Sequence, residues 1–190
     1  LLPTAPKIAE RSTGRTMGEH ADEMADKNNI SREQQDAFAI RSHEKAYKAQ
    51  QSGRFDDEVA PIQIGHCELT RDTLIRSAIN PEKIAGLRPV FRKDGTITAA
   101  SASPLTDGAS AVLLMSEEKA LELGYTPEVA IVDWCYTALD PFDQLLIGPA
   151  LAIPKLLDKH GLVLADIDIF EIHEAFAAQV LSVVKALADD

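Results

Sequence analysis

Cysteine is scarce in this 190-residue sequence, which contains only Cys67 and Cys135. Two cysteines exclude a disulfide scaffold and are typical of proteins from a reducing compartment. Neither belongs to a C-x-x-C pair, and no second ligand pair accompanies the neighbours His66 and Cys67, so no metal site is expected. Long uncharged apolar runs are lacking as well, and no transmembrane segment is expected.

Arginine is absent from the second half of the chain, whose overall net charge is −11. Residues 1–105 carry 15 basic and 15 acidic side chains, whereas residues 106–190 carry four lysines and 15 acids. Because arginine is the side chain best suited to bind phosphate, an anionic ligand is expected on the first half. The acidic second half would repel a phosphate backbone, so no nucleic-acid partner is expected. A simpler interpretation of the charges is that the two regions differ only in their solvated surfaces.

The first half contains two helical patterns followed by an irregular region. Apolar residues at helical spacing predict a short helix over residues 16–28. A capping box formed by Ser31 and Gln34 predicts a second helix that ends near Gly53. Residues 55–105 contain several prolines and no sustained period, which is typical of a binding loop or cover.

The second half alternates apolar runs with helical patterns. Strands are predicted at residues 111–115, 129–139 and 166–172. Helices are predicted after Ser116, from Gly148 to near Gly161, and from Phe176 onward. This alternation predicts parallel βαβ units and an α/β fold class.

His173 follows the last predicted strand and precedes the last predicted helix. Parallel sheets bind ligands beyond the carboxyl ends of their strands, where helix N-termini also lie. A histidine there can donate to an oxyanion or exchange a proton. The alternative is that His173 merely caps the helix.

The segment His-Glu-Ala-Phe-Ala-Ala-Gln at 173–179 resembles a signature of thiolases, the enzymes that cleave or form 3-ketoacyl-CoA. Its histidine form is similar to the β subunits of fatty-acid oxidation complexes and of mitochondrial trifunctional protein. Further segments resemble the family in the same order along the chain, namely 17–18, 30–39, 42–43, 53–55, 87–91, 94–99, 103–109 and 147–150.

The resemblance implies a thiolase-like fold, in which a loop domain is inserted into the first of two similar α/β halves. Residues 1–105 then correspond to the CoA-binding loop domain, residues 106–127 to the strand and helix that return to the first half, and residues 128–190 to the start of the second half. The family's nucleophilic cysteine segment and its acid/base segments have no counterpart in this sequence. The chain therefore resembles the middle of a thiolase, and we expect these 190 residues by themselves to be inactive.

The resemblance also implies site residues. His173 is the expected catalytic residue, because it matches the family's oxyanion or enolate donor. Arg76 matches an arginine at the nucleotide end of coenzyme A, and Ser103 matches a serine that binds the pantetheine arm. The other expected contacts with the coenzyme are Ala99, Leu105, Leu145, Ala175 and Phe176. Thr16 and Lys83 depart from the family pattern, so the resemblance implies no particular mode of CoA binding at these two positions.

The implied function is acyl transfer between 3-ketoacyl-CoA and CoA, in either direction, with coenzyme A as a substrate and no covalently bound cofactor. The implied partners are further copies of the chain and a hydratase/dehydrogenase subunit, in a bacterial cytoplasm or a mitochondrion. The alternative is a non-catalytic module that binds CoA or lipid.

Overall fold

Two capped helices open the part of the chain that this computed structural model describes, residues 8–189. Helix α1 spans Met17–Lys27 and α2 spans Arg32–Gln51. Ser31 Oγ accepts a hydrogen bond from the Gln34 N–H at 3.3 Å, and Gln34 Oε1 accepts one from the Ser31 N–H at 2.8 Å. The predicted capping box is therefore confirmed, together with both predicted helices.

The remaining elements lie in the middle and at the end of the chain. They are β1 (Ile62–Ile64), β2 (Cys67–Leu69), α3 (Pro81–Ala85), α4 (Glu117–Glu122), α5 (Gly148–His160), a short 3₁₀ helix (Leu164–Asp166) and α6 (Ala177–Asp189). The predicted helices α4, α5 and α6 are confirmed. The Ser116 hydroxyl caps α4, and α5 ends at Gly161, whose left-handed φ of 65° favours glycine.

The strands β1 and β2 form an antiparallel hairpin that none of the sequence patterns predicts. Their register pairs Ile62 with Leu69 and Ile64 with Cys67, and the two-residue turn between them begins with Gly65 at a φ of 59°. Each strand has only three residues, all of them exposed, so neither carries the buried alternation that indicates a strand.

The three predicted strands of the second half are wrong within residues 8–189, where β1 and β2 form the only sheet. Residues 111–115 and 129–139 have no regular structure, and the 3₁₀ helix covers the start of 166–172. A strand needs a neighbour for its backbone hydrogen bonds, and no described segment pairs with these three. Their apolar side chains are accordingly exposed, by 83% at Val112, 87% at Val129 and 74% at Ile169.

Helix α6 lies at the centre of the packed helices and contacts α1, α2 and α5. Ala178 packs with Ala21 and Ala25 of α1, while Val183 and Leu187 pack with Ala150 of α5. The small alanines let the helices approach closely. One face of α6 is buried, whereas Val184 on the same helix is 51% exposed. Among the described helices, none is long and apolar enough to span a membrane.

A buried carboxylate attaches α1 to the segment that precedes the site. Asp22 is fully buried, and its Oδ1 accepts hydrogen bonds from the N–H groups of Thr96 and Ile97 at 2.8 and 3.0 Å. Gly95 permits this approach, because a Cβ atom there would lie 2.4 Å from Asp22 Oδ2. Residues 98–104 are thereby held beside α6.

Candidate functional site

A cleft of about 310 Å³ lies between α2, residues 100–104 and the segment that leads into α6. Most of its wall is apolar and is formed by Phe38, Ala39, Ala46, Leu74, Ile75, Ala100, Ala102, Pro104 and Ala177. Its polar groups come from Ser42, His43, Ser101, Ser103, His173 and Glu174. An apolar cleft with a few convergent polar groups is the usual form of a small-molecule site.

Backbone hydrogen bonds bring the two predicted segments of the site together. The Ser103 N–H donates to the Ala175 carbonyl at 2.9 Å, and the Ala177 N–H donates to the Ser101 carbonyl at 2.9 Å. Between them, Ala102 and Phe176 form an isolated antiparallel bridge. These contacts join residues about 70 positions apart in the sequence and place Ser103 and His173 on one cleft.

Helix α2 supplies the opposite wall and contacts two segments that border the cleft. The Ser42 hydroxyl donates to Glu174 Oε2 at 2.5 Å, and the Arg76 backbone N–H donates to His43 Nδ1 at 3.4 Å. Burial lowers the pKa of His43 below its usual 6.5, the positive charge of Arg76 lowers it further, and the negative charge of Glu174 opposes both. The His43 ring is therefore neutral at pH 7, as an Nδ1 acceptor must be.

His173 lies on the cleft with an exposed side chain that makes no hydrogen bond to another described residue. Helix α6 begins at Ala177, and its first turn is closed by the Val180 N–H donating to the Phe176 carbonyl. His173 therefore lies outside the capping position, and the alternative that it caps the helix is wrong. Its ring remains available to a ligand in the cleft.

The other predicted site residues differ in their relation to the cleft. Arg76 does not line the cleft itself, but it is exposed, it follows Leu74 and Ile75, which do, and its charge acts on His43 of the cleft, so it lies at the rim. Ala175 and Phe176 lie behind the cleft, where Phe176 is 8% exposed and its ring meets that of Phe91 edge to face at 5.7 Å.

Three further residues were predicted to contact the coenzyme, but they are not among the described residues that line the cleft. They are Ala99, Leu105 and Leu145. Leu105 is 83% exposed, Ala99 is exposed beside Ala100 of the wall, and Leu145 is half-buried next to Leu146, which packs on the core.

Sequence reasoning gave no role to Ser42 or His43, although both line the cleft. One signal was available: Phe38, Ser42 and Ala46 are spaced by four residues and share one face of α2 with the small apolar residues. A hydroxyl inside an apolar helical face needs a partner when the face is covered. The identity of that partner, Glu174, could not be found from local sequence.

Neither cysteine belongs to the cleft. Cys67 is exposed in the hairpin, and Cys135 Sγ donates to the Ala152 carbonyl at 3.4 Å. Within residues 8–189, no group of three or more His, Cys, Asp or Glu side chains could hold a metal ion. The chemistry that the cleft offers is hydrogen-bond donation from His173 and Ser103 beside an apolar wall.

Two family models match nearly the whole chain. The model of the thiolase N-terminal domain matches residues 3–118, and that of the thiolase C-terminal domain matches residues 125–190. The gap between the two matches, residues 119–124, includes most of α4.

Individual relatives match at high identity. The chain is 52% identical to a probable 3-ketoacyl-CoA thiolase of Caenorhabditis elegans and 50% identical to the mitochondrial trifunctional enzyme subunit beta of Bos taurus. Both matches cover 100% of this chain but only 43% and 40% of those relatives, so the chain spans less than half of their length. A crystal structure of the acetyl-CoA acetyltransferase of Bacillus anthracis matches 96% of this chain and 47% of its own, with a TM-score of 0.89 and 45% identity.

Proposed function

The chain belongs to the thiolase family, and we propose that in the intact protein it forms the CoA-binding side of a 3-ketoacyl-CoA thiolase and supplies His173 to the reaction. The observation that supports this proposal most directly is the cleft on which Ser103 and His173 meet opposite α2. The pantetheine arm of coenzyme A is a narrow chain of methylene and amide groups. An apolar wall with a few separated donors is suited to such a ligand.

Ser103 and Arg76 are proposed to bind the coenzyme at different points. The Ser103 backbone N–H is already used by the Ala175 carbonyl, so its hydroxyl is the group left for a pantetheine amide. Arg76 at the exposed rim is proposed to contact the phosphates of the nucleotide, with which a guanidinium forms charge-assisted hydrogen bonds. Contacts of the coenzyme with Ala99, Leu105, Leu145, Ala175 and Phe176 stay predictions.

His173 is proposed to donate a hydrogen bond to the thioester or ketone oxygen as it becomes an oxyanion. A donor placed where negative charge develops stabilises the transition state more than the neutral substrate. The cleft contains no thiol from this chain, so neither Cys67 nor Cys135 is proposed as the nucleophile.

The organisation of the intact protein is proposed from the same relatives. Residues 1–105 form the CoA-binding loop domain, residues 106–127 return to the first catalytic half, and residues 128–190 begin the second. The boundary between the two matched family models, at residues 118–125, supports this division. The name of one relative, a mitochondrial subunit beta, supports assembly with another subunit. That this subunit is a hydratase/dehydrogenase, that further copies of the chain take part, and that the protein lies in a mitochondrion or a bacterial cytoplasm stay proposals.

Titration of the intact protein with CoA tests the proposed binding mode. Replacing Arg76 by alanine should weaken CoA binding by about 1–2 kcal/mol, the scale of a charge-assisted hydrogen bond. The loss should shrink for dephospho-CoA and vanish for pantetheine, which lacks the nucleotide. The matched control is Arg71→Ala, which removes the same charge outside the cleft lining and should leave all three affinities unchanged.

Calorimetry measures the three affinities. An equal loss for CoA, dephospho-CoA and pantetheine would place Arg76 away from the nucleotide. Intact protein that binds none of the three would refute the proposed function.

A further inference from the structure

We infer that Ser42 and His43, consecutive residues of α2, are positioning residues for two separate segments that border the cleft. Ser42 fixes the segment that carries His173, and His43 fixes the segment that carries Arg76. This inference rests on the proposed function, because it concerns the reaction and the ligand proposed for the same cleft.

The segment around His173 is held from two sides. On one side, the Ser103 N–H binds the Ala175 carbonyl at 2.9 Å. On the other side, the Ser42 hydroxyl binds Glu174 Oε2 at 2.5 Å across 132 residues of sequence. Residues 173–175 therefore have one backbone attachment and one side-chain attachment, and the second comes from α2.

Ser42 is the described residue that holds the Glu174 carboxylate. Without its hydroxyl, that carboxylate has no other hydrogen-bond partner among the residues described here. The neighbouring His173 would then lose one of the two restraints on its backbone. Because small displacements of a catalytic group from its productive geometry are costly, the expected loss is one of rate.

The segment before Arg76 is irregular and is attached to the same helix. Gln50 Nε2 donates to the Asp72 carbonyl at 3.3 Å, and the Arg76 N–H donates to His43 Nδ1 at 3.4 Å. Gln50 and His43 both belong to α2, so this helix holds the segment at two points and keeps Arg76 at the rim of the cleft. Loss of the His43 acceptor would remove this hydrogen bond to the Arg76 backbone and weaken the proposed contact of Arg76 with the nucleotide. The position of His173 would not change, because its segment is held by other hydrogen bonds.

Substitutions of Ser42 and of His43 are therefore expected to affect different kinetic constants, kcat in the first case and KM in the second. In steady-state thiolysis by the intact protein, Ser42→Ala should lower kcat by about tenfold and leave the KM for CoA within about twofold. His43→Leu should raise the KM for CoA by about fivefold and leave kcat within about twofold.

Conservative variants and a control distinguish positioning from a general structural role. Ser42→Thr keeps the hydroxyl and should restore kcat, and His43→Gln keeps an acceptor and should restore the KM for CoA. The control is Ser52→Ala at the far end of α2, where the hydroxyl donates to the Ala49 carbonyl at 3.0 Å outside the cleft. It should leave both constants unchanged.

The outcomes separate this inference from the proposed function. Wild-type protein that neither binds CoA nor cleaves 3-ketoacyl-CoA refutes the proposed function and, with it, the inference. An active wild type whose Ser42→Ala and His43→Leu variants lose only thermal stability, or change kcat and KM together, refutes the inference alone. A lower kcat in Ser42→Ala and a higher KM for CoA in His43→Leu, each restored by the conservative variant at the same position, would support it.

Discussion

The imidazole of His43 has an environment in which three effects compete. Burial has the largest influence and lowers its pKa, the Arg76 charge acts in the same direction, and the Glu174 carboxylate raises it. A histidine whose pKa is lowered on folding favours the folded state above the unfolded pKa of 6.5. That stabilisation is lost as the pH falls through the lowered pKa, since the unfolded chain binds the proton first.

This balance predicts opposite shifts in two variants. Arg76→Ala should raise the pKa of His43 toward 6.5, because a nearby positive charge is removed. Glu174→Gln should lower it further, because the compensating negative charge is lost. Histidine-labelled intact protein followed by NMR over pH 4–8 gives both values, with the His43→Gln spectrum identifying the resonance. A pKa of His43 that is insensitive to both variants would show that neither group faces the ring.

Single residues also mark the limit of what the sequence could predict about the site. Ser103 and His173 were predicted from the motifs that surround them, and the structure brings them to one cleft. Ser42 and His43 were given no role, because their partners lie 132 and 33 residues away. Such contacts depend on how helices pack and leave no local pattern.

At the scale of elements, the helices were predictable and the strands were not. Most backbone hydrogen bonds of a helix form within the helix, and capping residues such as Ser31 and Gly161 mark its ends. Local sequence is therefore sufficient to predict a helix. A strand depends on a partner elsewhere in the chain, and residues 111–115 pair with no other described segment. Apolar composition alone could not distinguish a paired strand from an exposed segment.

The attachment of α1 to residues 95–97 gives a test at this scale. Asp22→Ala should destabilise the intact protein by about 2–4 kcal/mol, since the part-buried N–H of Thr96 and the buried N–H of Ile97 lose a charged acceptor. The neighbouring Glu23→Ala is the matched control, because its ion pairs with Arg15 and Lys27 are at the surface and each contributes at most about 1 kcal/mol. Urea unfolding compares the two, and equal destabilisation would contradict the assigned role of Asp22.

For the whole molecule, the predicted thiolase-like α/β fold class is confirmed by the TM-score of 0.89 to an acetyl-CoA acetyltransferase. The prediction of this fold came from the resemblance of motifs spread along the chain, whereas the strands expected from the apolar pattern were wrong within residues 8–189. The charge asymmetry is compatible with the proposed binding mode, because all arginines precede residue 105 and Arg76 lies at the rim of the cleft.

The steady-state kcat of His173 variants in the intact protein tests the central claim, that this cleft places a donor on the reacting oxygen. His173→Ala should lower kcat for thiolysis by about 10²–10³ with little change in KM, the usual cost of removing one oxyanion donor. His173→Asn keeps a donor and should lose less. Melting temperatures should stay close to wild type in both variants, because His173 bonds to no described residue. An alanine variant with unaltered kcat would contradict the claim.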